Sequence, residues 1–185
     1  MNLVKSKSLL VPSNIMIQLE QNKVILQGPL GMIQVNLSTY DKVGDCFFSL
    51  KSLKNNQSLL CLSSTQDKNF AFLNSLEAIF KQYFIGLTQG FLVSLECVGV
   101  GYKVSVNKNT LEFKLGYSHT SVFVFPEDVE VFLPKPNLIC FFGLDKKRLH
   151  NLAAQVQNLK IPDAYKGKGL QWKNVKYNLK EGKKK

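Results

Sequence analysis

The chain has 185 residues, room for one domain of average size or two small ones, and its 45% apolar content is that of a folded protein and argues against disorder as the main state. No run approaches the roughly 18–20 consecutive apolar residues of a bilayer span, which excludes a membrane-spanning helix. The formal net charge of +11 is unevenly spread: residues 1–142 carry 12 basic and 10 acidic groups, residues 143–185 carry 12 and 3, so the last quarter is a cationic surface suited to nucleic acid or an acidic membrane face.

In chain order, Met1 to Pro12 holds two lysines and no arginine and reads as neither a secretory leader nor an Arg-rich transit peptide. Alternation over Ile15 to Leu19 predicts a strand, Asn22-Lys23 a turn, and Val24 to Leu26 a return strand. Gly28-Pro29-Leu30-Gly31 predicts a tight reversal, with further strands at Met32 to Leu37, Cys46 to Leu50 and Ser58 to Leu62. The period then changes. Phe70, Leu73, Leu76, Phe80, Tyr83, Phe84 and Leu87 recur at threes and fours, which predicts a helix from about Asp67 to Phe84 whose aromatic stripe packs a core, with Gly86 and Gly90 as stop and linker.

The second half repeats the plan. Strands are predicted at Phe91 to Val98, Tyr102 to Val106 and Thr110 to Leu115, with a hairpin turn at Asn107-Lys108-Asn109, then at Val122 to Phe125, Val129 to Leu133 and Leu138 to Phe142. Leu149, Leu152, Ala153, Val156 and Leu159 mark a second amphipathic helix from about Asp145, which suits the helix dipole, to a stop before Pro162. Strands followed by one helix, twice, predict an α+β chain of two tandem similar domains, residues 1–88 and 89–185, from a duplication of about 80–90 residues. Each would be a small antiparallel or mixed sheet packed with one helix.

Signals for catalysis are thin. The four cysteines are dispersed without CxxC spacing and only two histidines accompany them, so they read as buried thiols and no metal is expected. Gly99-Val100-Gly101-Tyr102-Lys103 lacks the spacing and hydroxyl of a phosphate loop and leads into a strand, so its glycines serve close packing or a bulge. His119 and His150 have no nucleophile or carboxylate patterned beside them, and Glu127-Asp128 with Glu130 reads as a solvated loop. No catalytic residue and no cofactor are expected.

The segment Pro162-Asp163-Ala164-Tyr165-Lys166-Gly167-Lys168-Gly169 is different, because it interleaves an aromatic, lysines and glycines. Lysines neutralise phosphates, a tyrosine stacks on a base or sugar, and glycine lets backbone N–H groups approach a phosphate. The expected RNA contacts are Tyr165, Lys166, Gly167, Lys168, Gly169 and Lys173, continued by Lys146, Lys147, Arg148 and Lys160 along the helix. Lys176, Lys180 and Lys183 to Lys185 extend the track. The rival reading is a peripheral protein whose lysine tail lies on an anionic membrane, which needs neither Tyr165 nor the glycines.

That segment, ending in Lys180-Glu181-Gly182-Lys183-Lys184, resembles the C-terminal signature of the ribosomal large-subunit protein L-six family. Gly28-Pro29-Leu30-Gly31, Val98 to Lys103, Leu115-Gly116-Tyr117-Ser118-His119, and Gly143 to Lys147 with Ala153-Ala154 resemble other family motifs in the same order, over nearly the whole chain. The resemblance implies two tandem α+β domains and a second domain docked on large-subunit rRNA, near the sarcin–ricin loop and the base of the factor-binding stalk. It also implies neighbouring large-subunit proteins at the stalk base as partners, translation factors as indirect ones, and no catalysis. The chain departs from the family pattern at Thr120, Gln157, Lys160, Gln171, Trp172 and Val175, three of which (Gln157, Lys160, Gln171) stand where arginine is usual. Arg148 is the only arginine, and the abundance of Lys, Asn and Phe points to an AT-rich genome. With no transit segment at the start, a mitochondrial, organelle-encoded copy is expected, with a bacterial cytoplasmic protein as the alternative.

Overall fold

In a computed structural model, the structure describes residues 5–20, 23–36, 46–52, 58–64 and 70–182. The turn residue Asn22, the strand end Leu37, the helix start Asp67 and the terminal lysines Lys183 to Lys185 lie outside the described residues. The chain divides into two compact units, Met1–Gly90 and Phe91–Lys185.

The first unit runs β1 (Lys5–Val11), β2 (Met16–Leu19), β3 (Lys23–Gly28), β4 (Gly31–Asn36), β5 (Cys46–Ser52), β6 (Ser58–Ser64) and α1 (Phe70–Thr88). One sheet has the order β1-β6-β5 and another β2-β3-β4, and every pairing is antiparallel. Alternate residues Val24 and Leu26 on β3, and Leu60 and Leu62 on β6, point inward. They meet Leu73, Leu76, Phe80, Phe84 and Leu87, the buried stripe of α1. The Gly28-Pro29-Leu30-Gly31 reversal joins β3 to β4 and leans on the end of this helix: Leu30 N–H donates to the Leu87 carbonyl at 3.3 Å. The helix runs four residues past the expected end at Phe84. Gly86 is buried inside it, and the stop comes at Gly90, whose left-handed φ of 74° favours glycine.

The second unit runs β7 (Phe91–Val98), β8 (Lys103–Asn107), β9 (Thr110–Lys114), β10 (Ser121–Val124), β11 (Glu130–Lys135), β12 (Leu138–Gly143), α2 (Lys146–Asn158) and β13 (Gly169–Trp172). Its sheets have the orders β11-β12-β7-β13 and β10-β9-β8, again with every pairing antiparallel. Set β13 aside and the order β7-β12-β11 repeats β1-β6-β5, while β8-β9-β10 repeats β2-β3-β4. Each unit is thus a strand, a three-stranded meander, a hairpin and a helix, so the two share one topology within an α+β fold. Leu95, Leu111, Phe113, Ile139 and Phe141 form its core against Leu149, Leu152, Ala153 and Val156 of α2.

The Gly99 to Lys103 segment is a turn that carries the chain from β7 into β8, strands of different sheets, and it is closed by Tyr102 N–H donating to the Gly99 carbonyl at 3.3 Å. A Cβ on Gly99 would lie 2.7 Å from the Tyr102 ring and one on Gly116 3.2 Å from it. The two glycines make room for one aromatic, and nothing here cradles a phosphate. Cys97 and Cys140 are buried free thiols, and burial, aided by the Glu96 carboxylate, pushes Cys97 up to about 12, far from thiolate chemistry. Among the described residues no helix is long and apolar enough to cross a membrane.

Candidate nucleic-acid interface

The cationic quarter of the chain begins at α2. Asp145 caps its N-terminus, its Oδ1 accepting from Lys147 N–H at 2.9 Å and Arg148 N–H at 3.3 Å. The next three side chains, Lys146, Lys147 and Arg148, are all cationic and exposed. Cations at this end oppose the helix dipole, at roughly 0.3–1 kcal/mol each, so helix stability does not explain them. Arg148 is ion-paired to Asp128 at 2.8 Å, which takes it partly out of the free surface that the sequence suggests. Lys146 and Lys147 have no carboxylate partner among the described residues.

Past the helix the chain makes a built loop rather than a loose tail. Asp163 organises it: its backbone N–H donates to the Lys168 carbonyl at 3.0 Å, its carbonyl accepts from Gly167 N–H at 2.9 Å, and its carboxylate accepts from Lys166 N–H at 2.8 Å. Ala164, Tyr165 and Lys166 form the tip, where Tyr165 is 58% exposed and Lys166 and Lys168 point to solvent. Gly167 and Gly169 are buried. Gly167 has a left-handed φ of 68°, and a Cβ on Gly169 would come within 2.7 Å of Pro162 Cα. Their service here is to let the loop close on itself. The N–H of Gly167 is already taken up internally, which differs from the direct phosphate approach expected of it. Lys160 lies half-buried at the base of the loop with its ammonium 4.1 Å from the centroid of the Tyr117 ring.

Strand β13 then carries the chain back along α2. It starts with Leu170 N–H on the Lys160 carbonyl at 2.9 Å, beyond the C-terminal end of the helix. It ends with the Trp172 indole stacked on His150, near the helix start, at 5.7 Å between ring centroids. Exposed Lys173 follows, its N–H donating to the Ser94 carbonyl. Tyr165 to Gly169 and Lys173 therefore form one strap, fixed to the sheet edge through β7; its loop lies beyond the C-terminal end of a 13-residue helix about 20 Å long, and its Lys173 end comes near the helix start that carries Lys146 to Arg148.

The sequence signals missed what clamps the strap. Gln157 accepts from Trp172 Nε1 at 2.8 Å and donates to the Tyr177 hydroxyl at 3.1 Å, and that hydroxyl also accepts from Trp172 N–H. Gln171 Nε2 donates to the Gly167 carbonyl at 2.6 Å, and Lys180 N–H donates to the Ala164 carbonyl at 2.8 Å. Gln157, Gln171 and Trp172, all departures from the family pattern, thus make internal bonds. No local spacing signals these bonds, since Gln157 lies a whole loop and strand away from its partner Trp172. Tyr117 and His119 stack at 6.1 Å, with the Lys160 ammonium over the Tyr117 ring.

A family model for "Ribosomal protein L6" matches residues 98–172, the stretch that includes the loop and β13. Over 184 residues the chain is 33% identical to the large ribosomal subunit protein uL6 of Pseudothermotoga lettingae, with both proteins covered in full. It is 30% identical over 191 residues to the large ribosomal subunit protein uL6m of Reclinomonas americana, again in full. It is 31% identical over 183 residues to the uL6 protein of Metamycoplasma arthritidis, covering 99% of this chain and 98% of that one.

Proposed function

The chain belongs to the ribosomal protein L6 family, and from that premise we propose that it is a structural, non-catalytic component of a large ribosomal subunit whose second domain grips rRNA through the strap of Tyr165, Lys166, Lys168 and Lys173. The observation that carries this reading is a row of exposed lysines, without carboxylate partners among the described residues, on a loop already braced by Asp163 and β13. A braced loop loses little conformational freedom on binding, and lysines grip phosphates without reading sequence, so recognition is of RNA shape and backbone. Gly167 and Gly169 hold the loop in shape, while Lys146, Lys147, Arg148 and Lys160 extend the positive field along α2. The proposed contact lies near the sarcin–ricin loop and the base of the factor-binding stalk, an expectation the family resemblance supports, with neighbouring large-subunit proteins as proposed partners and translation factors as indirect ones. The more neutral first domain serves protein contacts or faces solvent.

The test is binding of the full chain to a large-subunit rRNA fragment across a salt series. Affinity falls steeply with salt, by counterion release, and Lys166→Glu with Lys168→Glu weakens it by roughly 30-fold or more at physiological salt. Equal affinity of parent and double variant removes the strap from the interface. Vesicle binding stronger than rRNA binding at equal salt would instead favour the membrane reading. The composition, 23 lysines against Arg148 alone, supports a mitochondrial ribosome. Co-sedimentation of the endogenous protein with mitochondrial rather than bacterial large subunits checks that assignment.

A further inference from the structure

Beside the end of β13 a groove of about 520 Å³ opens between Leu92 and Ser94 of β7, His150 of α2, and Trp172, Lys173 and Val175. Its aromatic wall is held rigid. The indole N–H is fixed on Gln157, His150 Nδ1–H donates to the Lys146 carbonyl at 2.8 Å, and the two rings stack with 21° between their planes. Leu92 and Val175 are more than half exposed, so among the described residues apolar surface faces water here. At the rim stand Lys173, whose ammonium has no carboxylate partner among the described residues, and the Asn174 amide.

The mixture narrows the occupant. An acyl chain or an apolar protein side chain would use the leucine and valine but leave the lysine and the amide idle. A nucleotide uses all of them: a flat base for the stacked rings and apolar walls, an amide for a base edge, and an ammonium for the phosphate. The charge of the surroundings, 12 basic against 3 acidic groups over residues 143–185, favours the same ligand. A base inside a duplex is covered on both faces and cannot enter. We propose that this groove takes one unpaired nucleotide of the bound RNA, its base against the His150–Trp172 pair and its phosphate at Lys173. The inference rests on the rRNA-binding reading and adds to it a contact that discriminates an extruded base from a paired one.

Trp172 is the chain's single tryptophan, so its fluorescence reports on this groove alone. The full chain is titrated with an RNA hairpin carrying one extruded adenosine and with the same hairpin fully paired, following Trp172 emission and filter retention in parallel. The extruded base is expected to quench the emission several-fold more than the paired hairpin does. His150→Ala should weaken binding of the bulged RNA roughly tenfold and His150→Phe restore it, with the paired hairpin bound equally by all three. If both hairpins are retained on the filter but the emission does not distinguish them, the inference is overturned while the lysine strap stands, and the groove is left to a side chain of a neighbouring protein. If neither hairpin is retained, the rRNA reading falls and takes this inference with it.

Discussion

The two units share one topology and part company after the helix. In the first, α1 stops at Gly90 and the chain passes directly to β7. In the second, the chain continues past α2 into a loop, adds β13 to the free edge of β7, and closes with a segment pinned across its own loop. Their charges differ in the same sense: residues 1–90 hold eight basic and five acidic groups, residues 91–185 sixteen and eight. Local pairing differs too. In the first unit Glu77 holds both Lys7 and Lys81, at 3.1 and 2.7 Å, whereas the exposed strap lysines have no carboxylate partner among the described residues. The two units share a scaffold, and an appended strap found only after the second helix holds the exposed lysines proposed to meet RNA.

The largest expected effect breaks the symmetry of charge. Reversing exposed Lys23 and Lys51 of the first unit should change affinity for the rRNA fragment less than about twofold, against the roughly 30-fold loss expected for Lys166 and Lys168. Comparable losses from both pairs would mean that net charge, not the strap, governs binding.

A smaller effect tests whether the strap is held by its glycines. Gly169→Ala places a Cβ against the Pro162 backbone, at a φ of 152° that side chains rarely adopt. A loss of about 1–3 kcal/mol in denaturant unfolding is expected, with no counterpart in the first unit, which has no such strap.

The smallest concerns the ion pair of the first unit. Hydrogen bonds from Lys81, then Lys7, hold the Glu77 carboxyl below its ordinary value of 4.5. Because the folded value is the lower one, this stabilisation is present above the ordinary carboxylate range and disappears as pH falls through the lowered value. The stability gap between parent and Glu77→Gln should therefore be slight near neutrality and close on acidification. A gap that widens in acid would reverse the assignment.

Most elements of both units are legible in the residues. The stripe from Leu73 to Leu87 and that from Leu149 to Val156 are local periodicities, and β7 runs over the same residues, Phe91 to Val98, that its alternation marks. The lysines of the candidate interface are equally plain, since charge is a property of composition. Two strands were not legible. Lys5–Val11 mixes serines and lysines with leucines, and its pairing partner Ser58–Ser64 lies some fifty residues away. Gly169–Trp172 contains a glycine and a glutamine and becomes a strand only because the edge of β7 is open to it.

By itself, then, the chain's order of residues determined the periods, the cationic last quarter and the succession of motifs, because each depends on neighbours within one or two turns. Tertiary structure alone decided that Gln157 and Gln171 bond inward, that Arg148 answers Asp128, that Gly167 and Gly169 shape a loop, and that Trp172 and His150 wall a groove. Each of these joins atoms whose encounter depends on how sheet and helix pack, and no local rule of spacing carries that information.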